Sequence, residues 1–346
     1  MHGDINSNMK KFIRVFILIS LISCNNSITK EINLPDHVPQ ISATIIIEQG
    51  ATDFSALVSA SSSLDSDIGP DVIENAVISI MSDGNNLYTL DSNHFNSSTS
   101  LYHSSFLSSD TTNTINIPDG QIDLIVSSPN YDEVYSATYM PEKPNPIIIY
   151  TPEVEVNSEN EGFIDIKDQI DISFPINNLN IDESFLISIS AFYLDVESQE
   201  IIEETMSFQA QEPAIIEEEE CMLFYTQDPR VRELNILSNQ TDDTFDSECN
   251  GSFCLISDES VSTISNGLEN ITFFIYRIEK PDYYVLQYMI CSISSLSPSL
   301  AEHYHSVDSY LGQSGSPFAE PDLMFSNVSS GFGCFGMMNT YTEKLN

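Results

Sequence analysis

Tryptophan is absent from the 346 residues, and cations are scarce: 11 Lys and Arg stand against 52 Asp and Glu, a formal charge of −41. Nucleic-acid binding needs clustered Lys or Arg against phosphate, so this balance excludes that class of partner. It also argues against lying flat on an anionic lipid surface. Past residue 24 no apolar run is long enough to cross a membrane as a helix. Enzyme signatures are missing as well. There is no H-E-x-x-H, no G-x-S-x-G and no P-loop, and Gly312-Gln-Ser314-Gly-Ser breaks the serine elbow at its last position. No pair among the many carboxylates stands out for glycoside cleavage. The chain is therefore read as non-enzymatic. Without Trp, any carbohydrate platform would fall to Tyr and Phe.

What is present starts with a leader. Lys10, Lys11 and Arg14 precede the apolar stretch Val15 to Ile22, the layout of a secretory signal. Leu21-Ile22-Ser23-Cys24 resembles a bacterial lipobox, which implies cleavage after Ser23 and acylation of Cys24. Several acyl chains together give stable anchoring where one is marginal. Removing residues 1–23 takes away Asp4, Lys10, Lys11 and Arg14, leaving 8 basic against 51 acidic residues, or −43. Such self-repulsion is screened in a salty medium. With 41% hydrophobic residues, 15 Tyr and 19 Phe, the body has material for packed cores and is not a disordered acidic tail.

Past the anchor, Cys221, Cys249, Cys254, Cys291 and Cys334 remain, all in the second half. Export places them where disulfides persist. The short polar turn of Cys249-Asn-Gly-Ser-Phe-Cys254 makes that pair the candidate disulfide, and the pairing of the other three stays open. A structural zinc site lacks C-x-x-C spacing and a nearby histidine.

Short strands separated by turn signals dominate the remainder. Ile41–Ile47, Phe54–Ser59, Ala76–Ile80, Leu87–Leu90, a strand marked by Leu101, Tyr102 and Phe106, Ile122–Val126 and Tyr131–Tyr139 are expected to form one small antiparallel sandwich. Met140-Pro-Glu-Lys-Pro-Asn-Pro146 reads as an extended linker. Strands follow at 147–150, 170–174, 185–193, 205–208, 222–225, 234–237, 271–276 and 284–293. One helix is predicted, capped by Ser297 with Pro298 at its first position, with Ser299 and Glu302 as an alternative capping box. Leu300, Tyr304, Val307 and Leu311 fall on one face, and Gly312 is expected to stop it. The organisation predicted is a signal peptide (1–23), a tether (24–34), an N-terminal β-sandwich (35–140), a Pro-rich linker (141–146) and a C-terminal β-rich domain (147–346). The fold class is mainly β, two antiparallel sandwiches with one amphipathic helix near the C-terminus.

Candidate sites are few. Asp65, Asp67 and Asp71 surround Gly69 and could offer oxygen ligands to calcium, although no bidentate Glu sits at the twelfth position of an EF-hand loop. His303 and His305 at i and i+2 do not share a helix face and make a poor chelate. Glu217 to Glu220 reads as a solvated run. No other cofactor is expected. In Gly331-Phe-Gly-Cys-Phe-Gly336 the glycines admit unusual backbone angles, and the segment is expected to be a closing strand rather than a ligand loop.

The chain resembles an uncharacterised lipoprotein family of Bacteroidota outer membranes, known as domain of unknown function 4249. The resemblance rests on the lipobox cysteine, Lys30-Glu-Ile-Asn-Leu, Ala76-Val-Ile-Ser-Ile before Asp83-Gly84-Asn85, Pro118-Asp-Gly-Gln-Ile-Asp-Leu, Tyr135-Ser-Ala-Thr-Tyr-Met-Pro, Ser316-Pro-Phe-Ala-Glu-Pro321, Ser326-Asn-Val and Gly331 to Gly336. It covers nearly the whole mature chain. It implies a first domain of transthyretin-like or carboxypeptidase-regulatory type, and a location at the outer membrane through the lipid anchor. The implied role is a ligand- or partner-binding accessory of a TonB-dependent transporter. No catalytic residues come with it. Cys334 departs from the family, which commonly has an aromatic or aliphatic residue there. The alternative expectation is a cell-surface structural or adhesive protein with calcium-binding loops.

Overall fold

The computed structural model describes residues 37–62, 70–104, 114–157, 164–174, 184–209, 222–228, 231–234, 253–256, 268–276, 284–313 and 324–346. The strands before the linker are β1 (Ile41–Gln49), β2 (Ser55–Ala60), β3 (Asp71–Val72), β4 (Val77–Ser82), β5 (Asn85–Leu90), β6 (Phe95–Asn96), β7 (Leu101–His103), β8 (Gln121–Ser128) and β9 (Tyr131–Tyr139). After it come β10 (Ile147–Asn157), β11 (Ile164–Phe174), β12 (Ser184–Asp195), β13 (Ile201–Thr205), β14 (Ser207–Gln209), β15 (Leu223–Tyr225), β16 (Val231–Leu234), β17 (Phe253–Ile256), β18 (Leu268–Tyr276) and β19 (Tyr284–Leu296). The helix α1 (Pro298–Gln313) and β20 (Phe332–Leu345) close the chain.

These strands form three sheets. A four-stranded sheet runs β5-β4-β8-β9, a five-stranded one β10-β11-β18-β15-β14, and an eleven-stranded one β16-β17-β12-β19-β20-β1-β2-β7-β6 with β13 and β3 attached. Alternation decides which faces meet, because successive side chains leave a strand on opposite sides. In β1 the odd residues Ile41, Ala43, Ile45 and Ile47 are fully buried, and they pack with Ile78, Ile80, Ile122, Leu124 and Val126 of the four-stranded sheet. In β12, Phe185, Ile187, Ile189 and Ala191 pack instead with Ile170, Ile172, Phe273 and Ile275 of the five-stranded sheet. The protein is thus mainly β, with smaller sheets lying face to face on one large sheet.

The strand β20 joins the two halves. Its first part runs parallel to β1, from Ser42 opposite Phe332 to Gln49 opposite Asn339. Its second part runs antiparallel to β19, from Leu296 opposite Met338 to Met289 opposite Leu345. Phe335 and Met337 enter the first core and Leu345 the second. On the other face, Cys334 and Met338 lie with Leu186, Leu255 and Leu296 beneath Leu300 and Tyr304 of α1. The helix therefore sits over the seam, as a strand followed by a helix packing back on a sheet should.

This corrects two expectations. The sheets are not wholly antiparallel, since β1–β20 and β14–β15 pair in parallel. The last strand, assigned by sequence to the second domain, completes the first half's sheet, and Pro39–Asn346 is one compact unit across the 141–146 segment.

Two glycines allow β20 its place. Gly333 has φ +111°, and a Cβ there would lie 2.0 Å from the Ala43 carbonyl oxygen; a Cβ at Gly336 would lie 2.7 Å from Leu300 Cβ. The expected closing strand is present, and glycine spacing serves close approach. Cap chemistry differs from expectation. The Ser297 carbonyl accepts from Leu300 and Ala301 N–H, at 3.0 Å each, but its Oγ accepts from Met337 N–H at 3.0 Å. Ser299 Oγ donates to the Phe335 carbonyl at 3.0 Å, so these serines dock the helix onto β20.

Candidate functional site

An open, built feature lies on the outer face of the four-stranded sheet. After α1, residues 324–329 form a strap along β9. Ser329 N–H donates to the Tyr135 carbonyl at 2.7 Å, and Ser136 Oγ donates to the Asn327 carbonyl at 2.9 Å. Asn327 holds the strap to β20 by a two-way bond: its Nδ2 donates to Phe335 O at 2.8 Å, and its Oδ1 accepts from Phe335 N–H at 2.9 Å. Phe325 N–H donates to Ser306 Oγ of α1 at 2.9 Å. The strap walls an open depression of about 480 Å³ floored by Met81, Asp123, Ile125 and Ala137.

Register sets the chemistry of its floor. Tyr135, Ala137 and Tyr139 leave β9 on the outer side, with Tyr135 opposite Ile125, Ala137 opposite Asp123 and Tyr139 opposite Gln121. Two exposed tyrosines, 47% and 56%, thus flank a small residue that faces a carboxylate. The polar groups are held by neighbours. Gln121 Nε2 donates to Asp123 Oδ1 at 2.6 Å, and Tyr139 OH donates to Gln121 Oε1 at 3.3 Å. Tyr135 OH donates to the Glu133 carboxylate. That bond pushes the Tyr135 phenol above its ordinary value, with desolvation and the Glu133 charge adding to it. No Lys or Arg occurs anywhere in residues 31–142. The face offers ring surfaces and acceptor oxygens, the equipment of a binding surface.

The residues singled out by sequence are placed differently. Cys24, Asp65, Asp67, Cys221, Cys249, the run Glu217 to Glu220 and Ser316 to Pro321 lie outside the described residues. Asp71 lies exposed on β3, beside β2. Tyr304 points inward as expected, leaving His303 half-buried and His305 exposed. Desolvation lowers the His303 pKa, with the Phe325 carbonyl opposing it.

Cys254, expected to pair with Cys249, is a free buried thiol, as are Cys291 and Cys334. Its register partner is Ile187 on β12, and it points into the second core. Cys291 enters the same core from the other side of β12, opposite Ile189. One whole strand separates the two, about 10 Å at sheet spacing, beyond the Cα separation of a disulfide. Burial, with the Glu343 charge, pushes the Cys291 thiol up to about 12, and burial alone takes Cys334 to about 12. Thiols held protonated are poor nucleophiles and serve here as small core residues.

Lys167 and Asp168 are functional-looking residues that sequence reasoning missed. Lys167 Nζ donates to Tyr225 OH at 2.8 Å and stands 5.0 Å from its ring centroid. Asp168 accepts from Tyr150 OH at 3.0 Å and from Glu153 N–H at 3.2 Å, where Glu153 takes φ 56° in the β10 bulge. The available signal was a Lys-Asp step inside an Ile-rich strand. Asp168 braces the bulge, and the pair is structural.

No family model matches this chain, and no curated protein matches it. A crystal structure of a Salmonella alpha-2-macroglobulin mutant overlaps 91% of this chain and 15% of its own length, at 8% identity and a TM-score of 0.21. At that level of likeness no argument about fold or function passes between them.

Proposed function

We propose that the chain is a non-enzymatic outer-membrane lipoprotein, held by acylated Cys24, that binds a partner as an accessory of a TonB-dependent transporter. The observation that carries the reading is the combination of a lipobox-like leader with an open tyrosine and carboxylate face on the first half of the body. On this reading the N-terminal half is a sandwich of transthyretin-like or carboxypeptidase-regulatory type. The anchor keeps a strongly acidic body at a membrane it would not otherwise adhere to.

Affinity capture of the tagged lipoprotein from cross-linked, intact outer membranes tests this. Recovery of a transporter-type barrel is expected; recovery of none contradicts the accessory role. The anchor has its own test. Cys24→Ala is expected to move the protein to the soluble fraction with its fold intact, and retention on membranes in high salt would refute lipidation as the tether.

A further inference from the structure

We infer that the face formed by Tyr135, Ala137, Tyr139 and Asp123 is a docking slot for an extended, Lys- or Arg-bearing peptide segment of a partner protein. This rests on reading the chain as a partner-binding accessory and names the partner's chemistry.

The argument is one of shape and charge. Along β9 the two tyrosines are four residues apart, about 13 Å at strand spacing. Between them Ala137 projects only a methyl group, so a slot opens over it, and Asp123 lies directly across the strand pair. An alkyl-ammonium or guanidinium side chain fits such a slot. Its stem lies over the alanine, its charge meets Asp123, and Tyr135 and Tyr139 stand to either side along β9. Glu133 adds a second carboxylate beside Tyr135. Nothing cationic within residues 31–142 competes for these acceptors. The strap at Asn327 and Ser329 blocks one side, so an occupant runs over the sheet face as an extended chain, presenting alternate side chains downward.

The test uses the soluble Cys24→Ala chain and a fluorescein-labelled peptide alternating Lys and Ser, read by anisotropy near physiological salt. A Gln-Ser peptide is the uncharged control. The Lys-Ser peptide is expected to bind and the Gln-Ser peptide is not. Replacing both rings (Tyr135→Ala with Tyr139→Ala) is expected to weaken binding about tenfold, from two exposed cation–π contacts. Asp123→Asn with Glu133→Gln is expected to weaken it similarly. Glu197→Gln with Glu200→Gln, on the exposed turn between β12 and β13, removes the same charge and is expected to leave affinity within about twofold. Circular dichroism checks each fold, and Tyr135→Phe with Tyr139→Phe, which keeps the rings, is expected to retain binding. Equal losses from the two charge pairs, no loss from the ring variant, or equal binding of both peptides would overturn the slot. So would recovery of a transporter barrel by the Tyr135→Ala, Tyr139→Ala protein at the wild-type level, which leaves the accessory role standing.

Discussion

The two halves pack onto the same large sheet with different materials. The first core is almost wholly aliphatic, Ile, Val, Leu and Ala from β1, β2, β4 and β8, with few rings. The second is built on Phe174, Phe185, Phe208, Phe224 and Phe273, filled in by methionines and two thiols. Among the described residues, buried charge follows the same division. In the first half Tyr102 reaches the core with its hydroxyl satisfied, donating to Ile73 O and accepting from Ala76 N–H at 2.9 Å, and no charged side chain among the described residues is buried there. The second half buries Lys167 and Asp168. An aliphatic core carries the open, acidic outer face, while the second half holds a lysine and an aspartate inside and braces them with Tyr225 and Tyr150.

The largest expected effect strikes the element the halves share. Gly333→Val would drive a branched side chain into the Ala43 backbone at a left-handed φ, so the variant should lose several kcal/mol and fail to yield folded protein. Recovery of a soluble chain melting near the wild-type temperature would break the account of β20. Next comes the contrast between cores. Phe273, whose ring centroid lies 6.0 Å from that of Phe224 and 6.4 Å from that of Phe208, should cost about 3–5 kcal/mol as Phe273→Ala in urea unfolding. Ile45→Val in the first core should cost about 0.5–1.5 kcal/mol. Between those two, Asp168→Asn should cost about 1–3 kcal/mol by loosening the bulge and the Tyr150 bond, without changing peptide binding at the first half.

The smallest effect is read against pH. Below pH 9 the Cys291 thiol keeps its proton in both folded and unfolded chains, and its stabilisation is fully present. As pH rises from 9 towards 12 the unfolded chain gives up that proton first, so stability falls by about 1 kcal/mol over the first unit. Cys291→Ala should make the alkaline limb of a stability–pH curve shallower. An unchanged slope would mean the thiol is less buried than the second core requires.

Much of the fold was legible because alternation is local. Ile41–Ile47 and Tyr131–Tyr139 show their period directly, and the helix betrayed itself through Ser297-Pro298 and the spacing of Leu300 and Tyr304. What periodicity cannot carry is partner choice. Nothing local to Phe332–Leu345 says that its first part pairs with β1, nearly three hundred residues earlier, and its second with β19. The glycine spacing was the one trace of that contact, since Gly333 and Gly336 mark where another backbone and a helix come close. The proposed binding face escaped for a related reason. Tyr135 and Tyr139 look like ordinary strand residues until register sets Ala137 opposite Asp123 and the strap closes one side. The 249–254 spacing carried no information on burial: a short polar turn does not say that Cys254 leaves β17 into the second core, where it is a free thiol.

The central claim is that β20 makes the two halves one cooperative body. Differential scanning calorimetry of the soluble Cys24→Ala chain tests it most directly. The account predicts a single transition whose calorimetric and van't Hoff enthalpies agree. Two resolved transitions, one for each core, would contradict it.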